Sequence, residues 1–510
     1  MLCAASLLVA GVAAQAQASS VGVPFSQAFG PPYKPNPNVA PEHYRYRAPA
    51  AANDTTARVL YWDQMAVDTI ARDHAPITPT SYRIFGEQGG PTHSSRALAI
   101  VALAVFDALN AISGRYPSYT GLPRAAGDTS PDAAVAQAAH DTIVALWPAQ
   151  KARNDQLLAA DLNRIPAGRA KYNGIDLGRR AAAAILALRA NDNSDNTDLT
   201  IGVDYFPSNA PGKWRPDPVS MTPQAVGAKW GQVRPFVVPN VLNFRVAPPP
   251  PLTSNAYTAA FNEVKRIGAN GTTTPTTRTA DQTVIGVYWG FDSTPWVGTP
   301  VCMYNEMMAD MAHPRIRDAL EMARMLALVN VAIADTVIAT WNDKFYYDVW
   351  RPVTAIREAD AGTGPSGKGD GNPDTRADPR WTPYGAQASN LYGPDFTPPF
   401  PSYPSGHAGM TGALFQMMRR IFGTDRVSFT FVSNEWNGVT HDNTGYVRPL
   451  KPRAYSSLSQ AETEAGLSRI YLGVHWHFDL ASTGQGEAIA NYVFSHGLVP
   501  PDTGVGCGCN

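Results

Sequence analysis

The sequence predicts an all-α protein: a large helical bundle whose helices are joined by long Pro/Gly-rich connecting loops. Two observations predict it. Apolar residues return at three- and four-residue intervals through most of 94–494, whereas the alternating runs that mark half-buried strands are scarce. The connections between these periodic stretches are long, and 191–254 and 359–403 are the richest in Pro and Gly. With 510 residues and 44% apolar content the chain can bury a sizeable core, so a disordered polymer is excluded.

The elements follow in order. Residues 1–18 (MLCAASLLVAGVAAQAQA) form an apolar stretch ending in Ala-Gln-Ala, the pattern of a signal peptide, from which a secreted or periplasmic protein is expected. Residues 19–55, rich in Pro, Ala and aromatics without a period, read as an extended arm, and 56–500 as a single helical domain. Helical periods place helices at 94–113, 131–146, 154–162, 168–189, 255–266, 279–290, 313–347, 407–421, 461–472 and 477–494. The stretch from Asp370 to Asp374 superficially resembles a calcium loop but lacks the full ligand spacing, and a solvated loop is expected there. The last ten residues, 501–510, read as a flexible Gly/Cys tail.

Charge and cysteine usage narrow the function. Forty-one basic and forty-two acidic side chains leave a net charge of −1, with no general field to recruit nucleic acid or an anionic membrane. Charged or amide residues interrupt the most apolar helical stretches, 97–112 and 326–341, so no membrane span is expected. Of four cysteines, Cys3 falls in the signal, Cys302 stands alone, and Cys507 and Cys509 share the tail, too few for a disulfide framework.

Three short segments carry the chemistry: 344–352 (KFYYDVWRP), 404–407 (PSGH) and 468–479 (SRIYLGVHWHFD). Lys344 and Arg351 are seven apart, so one helix would carry both on one face, about 10 Å apart, and break at Pro352. Cations at a helix end also serve simply as dipole partners. Ser405 is a strong N-cap, Gly406 lets the backbone approach a ligand, and His407 opens an apolar helix; this is an anion cradle or merely a capped helix start. Gly473 permits a break between Arg469 and His475, and Asp479, four residues after His475, can orient its imidazole. His477 reads as solvent-facing or supporting, because no further ligand sits at zinc spacing. Three cations, helix-start amides and two imidazoles suit a tetrahedral or trigonal-bipyramidal oxyanion, phosphate or vanadate.

The pattern K-x6-R-P, P-S-G-H, S-R-x5-H-x3-D resembles the superfamily shared by vanadium-dependent haloperoxidases and type 2 phosphatidic-acid-phosphatase-like acid phosphatases. The resemblance implies that Lys344, Arg351, Ser405, Gly406 and Arg469 hold the oxygens of a vanadate cofactor. His475 would be the axial vanadium ligand, oriented by Asp479, and His407 the acid–base residue. Trp341 and Phe400 resemble the halide-site aromatics of the chloroperoxidase branch, although either could be plain core. Asp292 resembles the carboxylate that pairs with the motif-three arginine. The implied partners are hydrogen peroxide, a halide and a small organic acceptor, with phosphate able to occupy the same pocket. The alternative within the superfamily is an acid phosphatase with His475 as phosphorylated nucleophile.

Overall fold

The computed structural model describes residues 54–74, 86–294, 296–386, 396–440 and 447–499. The expected signal 1–18, nearly all of the arm 19–55 and the tail 501–510 with Cys507 and Cys509 lie outside them.

Asp54 accepts from the Ala57 N–H at 3.1 Å and so starts α1 (Thr55–Asp73). α2 (Gly90–Ser113) opens on Pro91, whose missing N–H costs nothing in a first turn, and ends at Gly114 with φ 65°. Ser130 caps α3 (Pro131–Leu146), and α4 (Lys151–Leu162) and α5 (Arg169–Arg189) complete the N-terminal bundle. α3 packs on α5, and α2 packs on α3. The buried Arg58 ties these helices together, meeting Asp161 of α4 at 3.0 Å and Asp132 of α3 at 2.8 Å. After a long connection with a two-residue ladder, β1 (Leu199–Thr200) on β2 (Gln224–Ala225), come α6 (Asn255–Ile267), α7 (Ala280–Tyr288) and α8 (Pro300–Ala312).

α9 (Ala319–Tyr347) is the axis of the molecule: 29 residues, about 43 Å at 1.5 Å per residue. It packs against α2 on one side and, on the other, against α11 (Gly406–Phe422) and α13 (Ser482–His496). Several of its buried polar groups are matched across the bundle. Asn330 exchanges amide hydrogen bonds with Asn305 of α8 at 3.0 and 2.8 Å. Asp335 accepts from the N–H groups of Phe236, Val237 and Val238, and Asp343 from Val246 N–H and Gln485. Two carboxylates of one helix thereby pin the long 230–246 connection across the bundle. α2 and α9 are long and apolar enough to cross a membrane, and both are buried as core helices.

The C-terminal half adds the short α10 (Pro352–Arg357), a hairpin of β3 (Phe429–Phe431) on β4 (Arg453–Tyr455), and α12 (Leu458–Tyr471). α11 and α13 approach so closely that a Cβ on Gly412 would lie 2.3 Å from the Thr483 carbonyl oxygen. The result is the all-α bundle the periodicity predicts, with small strand pairs only.

Several details differ from expectation. α1 and α8 were not expected; both are buried on nearly every side, which erases the one-sided apolar stripe that marks a helix in sequence. The helix expected from His313 starts at Ala319, because the Asp318 side chain caps the Glu321 N–H at 3.0 Å. Residues 477–481 form a 3-10 turn before α13. The Asp370–Asp374 stretch is only partly solvated: Asp370 and Asn372 are buried, and the Asp370 carboxylate accepts from Asn372 N–H and Thr375 Oγ1 as a turn former. Among the described residues no cluster of His, Cys, Asp and Glu could hold a metal ion.

Candidate active site

Lys344 and Arg351 do not share one helix. α9 ends at Tyr347, Asp348 takes the left-handed conformation with φ 57°, and the chain runs extended to Arg351, which N-caps α10. The cause is Pro352: its ring disfavours helical backbone at Arg351, which sits at φ −78°, ψ 156°. The break therefore comes earlier than a helix carrying both cations would allow, and it turns Arg351 toward the third motif. Its Nη1 donates to the Val474 carbonyl at 2.7 Å and to His475 Nε2 at 3.0 Å, and its Nε donates to the Phe400 carbonyl at 3.0 Å.

These contacts fix the protonation of His475. A guanidinium only donates, so Nε2 must carry the lone pair and Nδ1 the proton, which goes to Asp479 Oδ2 at 2.7 Å. The break at Gly473 (φ 74°) separates Arg469 on α12 from His475, as the sequence suggests. His477 points away, largely exposed, and pairs with Glu263 at 3.0 Å. At the second motif Ser405 N-caps α11, accepting from the Ala408 N–H at 3.4 Å, while the Gly406 and His407 N–H groups of the first turn have no partners within the helix. Gly406 packs closely on Trp341: a Cβ there would stand 3.1 and 3.2 Å from the ring, which would have to give by a few tenths of an ångström. His407 Nε2 donates to the Gly290 carbonyl at 2.9 Å.

The three motifs meet at one cleft, together with the loop after α7. Its wall includes Asp292, Trp341, Phe400, Gly406, His407, Arg469 and His475, with Pro91, Ser293, Pro300, Pro398 and Met410 completing it. Lys344, Arg351 and Ser405 lie buried just behind that wall rather than on it. Lys344 gives all three ammonium protons to carbonyls, those of Pro401, Ser402 and Pro404, at 2.9, 3.0 and 2.6 Å. Reaching a ligand would mean exchanging one of them. Trp341 and Phe400 touch, ring centroids 4.9 Å apart, and the Phe400 face receives both Lys344 and Arg351 at 5.1 Å.

Arg469 pairs with Asp292 at 2.8 Å, both buried. Asp292 is itself held by a clamped loop. Glu435 Oε1, from the segment between the second and third motifs, accepts from Phe291 N–H at 3.1 Å and Thr294 Oγ1 at 2.8 Å. Phe291 and Ser293 both have positive φ, a conformation unfavourable for side chains other than glycine, and the clamp sustains it. One short loop thus presents the Gly290 carbonyl to His407 and the Asp292 carboxylate to Arg469.

Electrostatically the site has an excess of positive charge. Burial, reinforced by Arg351, pulls the Lys344 ammonium well below its ordinary range, and burial draws Arg351 down to about 9. Burial and the neighbouring cations hold His475 and His407 well below 6.5, so both imidazoles are neutral. Burial pushes Asp479 up to about 7 and raises Asp292. Around the cleft, Arg351 Nη2 and Arg469 Nε and Nη1 are buried with no hydrogen-bond acceptor among the described residues. Such donors are costly to leave unmatched, and an oxyanion supplies both the acceptors and the missing negative charge. The donor set fits a phosphate or vanadate group.

Sequence reasoning did not find Pro91, Ser293, Pro300, Pro398, Met410 or Glu435. Met410 lies three residues after His407 on a predicted helix, so the helical period could have indicated it. Ser293 adjoins Asp292 and Pro398 lies two residues before Phe400, so those neighbours pointed toward them, whereas Pro91, Pro300 and Glu435 reach the site from segments that no spacing reveals.

The family described as VCPO second helical-bundle domain matches residues 324–498, which contain all three motifs. The chain is 35% identical over 276 residues to vanadium chloroperoxidase of Curvularia inaequalis, an alignment covering 46% of this chain and 43% of that protein. The chain thus spans under half of that relative's length. A bacterial vanadium-dependent iodoperoxidase structure superposes with a TM-score of 0.66 at 22% identity, over 85% of this chain and 96% of that one. The apo form of a bacterial vanadium-dependent chloroperoxidase gives 0.60 at 19% identity, over 82% and 95%. The chain therefore shares the fold of the bacterial vanadium-dependent haloperoxidase structures, and its C-terminal bundle, residues 324–498, matches the family described as VCPO second helical-bundle domain.

Proposed function

We propose that this chain is a vanadate-dependent haloperoxidase that oxidises bromide, and to some extent chloride, with hydrogen peroxide, the resulting hypohalous acid halogenating a small organic acceptor. The observation that carries the reading is the set of unmatched buried guanidinium nitrogens on Arg351 and Arg469, beside an imidazole whose lone pair is fixed on Nε2. Bound vanadate supplies a Lewis acid that activates peroxide without changing its own oxidation state. Arg351, Arg469 and the Gly406 and His407 amides of α11 would hold its oxygens, and His475 Nε2, kept in the right tautomer by Asp479, would be its protein ligand once Arg351 Nη1 gives up its hydrogen bond to that nitrogen. Lys344 contributes charge from behind the Phe400 ring.

His407 handles the protons. Its Nε2 proton is committed to the Gly290 carbonyl, so uptake from peroxide falls to Nδ1, and burial among cations keeps that nitrogen free to accept. Trp341, Phe400 and the prolines give the cleft an apolar wall, which excludes water and strengthens the field of the buried cations on an approaching halide. Export, suggested by residues 1–18, belongs to the same proposal.

The test is bromination of a phenolic dye at mildly acid pH with peroxide and bromide, with and without orthovanadate. Vanadate-dependent bromination is expected. Vigorous phosphate-ester hydrolysis without vanadate, and no bromination with it, would assign the pocket to an acid phosphatase using His475 as nucleophile.

A further inference from the structure

We infer that the thioether of Met410 is the first protein target of the oxidant made in this cleft, and that its oxidation is a built-in limit on turnover. The inference rests on the haloperoxidase reading. Met410 lies one helical turn after His407 on α11 and lines the same cleft as Arg469 and His475. Its methyl group and the Trp341 ring flank the Gly406 backbone, meeting a Cβ built there at 3.9 and 3.1 Å. Among the described methionines Met410 alone lines this cleft. A thioether is a soft, polarisable nucleophile, and here it stands among the apolar part of the wall with Trp341, Phe400 and the prolines.

The step balances without a further reagent. A sulfur lone pair attacks the halogen of hypohalous acid and displaces hydroxide; water then adds to the halosulfonium, and halide leaves. The net change is thioether plus hypohalous acid giving sulfoxide, halide and a proton, with sulfur losing the two electrons that the halogen gains. The sulfoxide places a polar, larger group against Gly406 and Trp341, disturbing the wall, and it is the oxidation state that methionine sulfoxide reductases reverse.

An internal control is present in the chain. Met410 is 1% exposed and so is shielded from oxidant in bulk solution, whereas Met221 is 72% exposed. Oxidant born in the cleft meets Met410 first; oxidant added from outside meets Met221 first. The experiment is peptide mapping by mass spectrometry of the full-length, vanadate-loaded protein after turnover of peroxide and bromide without an organic acceptor. A parallel sample without peroxide receives reagent hypobromite. Turnover should add one oxygen to Met410 before Met221, and the reagent should reverse that order. Met410→Leu, scaled to its own initial rate, should lose activity severalfold more slowly per turnover.

Met221 modified first during turnover, or Met410 modified equally by peroxide without bromide, would overturn the inference. Equal decay of wild type and Met410→Leu would overturn the limit on turnover. Bromination with Met410 intact removes this inference alone, while no bromination at all removes the haloperoxidase reading and this inference with it.

Discussion

Arg469→Lys keeps the charge at the heart of the site and removes only its geometry. In the wild type one guanidinium nitrogen serves Asp292, at 3.0 Å to Oδ1 and 2.8 Å to Oδ2, while Nε and Nη1 are buried without an acceptor. A lysine ammonium can retain the Asp292 pair but cannot also project two fixed donors toward a ligand. Each charge-assisted hydrogen bond contributes about 1.5–3 kcal/mol net, so losing two, with some relaxation, should weaken oxyanion binding by roughly 3 kcal/mol. That corresponds to about 150-fold in the dissociation constant. The assay is calorimetric titration of apo protein with orthovanadate and, separately, inorganic phosphate, with the thermal midpoint as a check on folding. Both ligands should lose affinity together. A folded variant that binds orthovanadate within about threefold of wild type, under 1 kcal/mol, would mean that these nitrogens do not face the ligand, refuting the fit drawn from them.

Other perturbations test separate parts of the account. Glu435→Ala should free the Phe291–Thr294 loop and cost about 2–4 kcal/mol of stability, because a buried acceptor of two hydrogen bonds is lost. Bromination should fall with it, and Glu435→Gln, which still accepts, should recover most of both; an Ala variant with wild-type turnover would contradict the positioning role. His74, buried, donates from Nδ1 to the Ile70 carbonyl and accepts from Gly90 N–H, at the start of the helix that brings Pro91 to the cleft. Burial lowers it to about 4, so its contribution to stability is intact above pH 6.5 and is lost as pH falls toward 4, on the order of 2 kcal/mol by pH 5. His74→Gln should therefore narrow the stability gap between pH 7 and pH 5 in urea titrations, and an unchanged gap would contradict this. Phe400→His should replace the apolar face beneath Lys344 and Arg351 with a hydrogen-bonding ring and depress chloride turnover more than bromide turnover. Steady-state kinetics showing an unchanged ratio would leave Phe400 as packing only.

The parts of the molecule legible in the sequence are those governed by local rules. Ser130 before Pro131 and Ser254 before Asn255 cap helices that begin where periodicity places them. The segments around 344, 405 and 475 stood out in the sequence as candidates for an oxyanion site because charged, glycine and capping residues lie close together there, and the structure brings them to one cleft. What escaped depends on distant contacts. α1 carries Arg58, Gln64 and Asp68 on a helix buried all round, so its polar residues hide the period, and Arg58 is matched only by Asp132 and Asp161. The early end of α9 follows from Asp348 adopting a left-handed turn and from the constraint Pro352 puts on Arg351. Lys344 meets three carbonyls some sixty residues away, a partnership no spacing rule anticipates. Glu435 stands far from both groups its loop positions, so only the folded chain reveals it.

The most direct measurement is the rate of dye bromination as orthovanadate is titrated into apo protein at several fixed phosphate concentrations. One pocket serving both anions predicts saturation at one vanadate per chain. Added phosphate should raise the vanadate needed for half-maximal rate and leave the plateau unchanged. A plateau that falls with phosphate, or a titration that phosphate does not shift, would contradict a single shared oxyanion site, and no bromination at any vanadate level would contradict the haloperoxidase account itself.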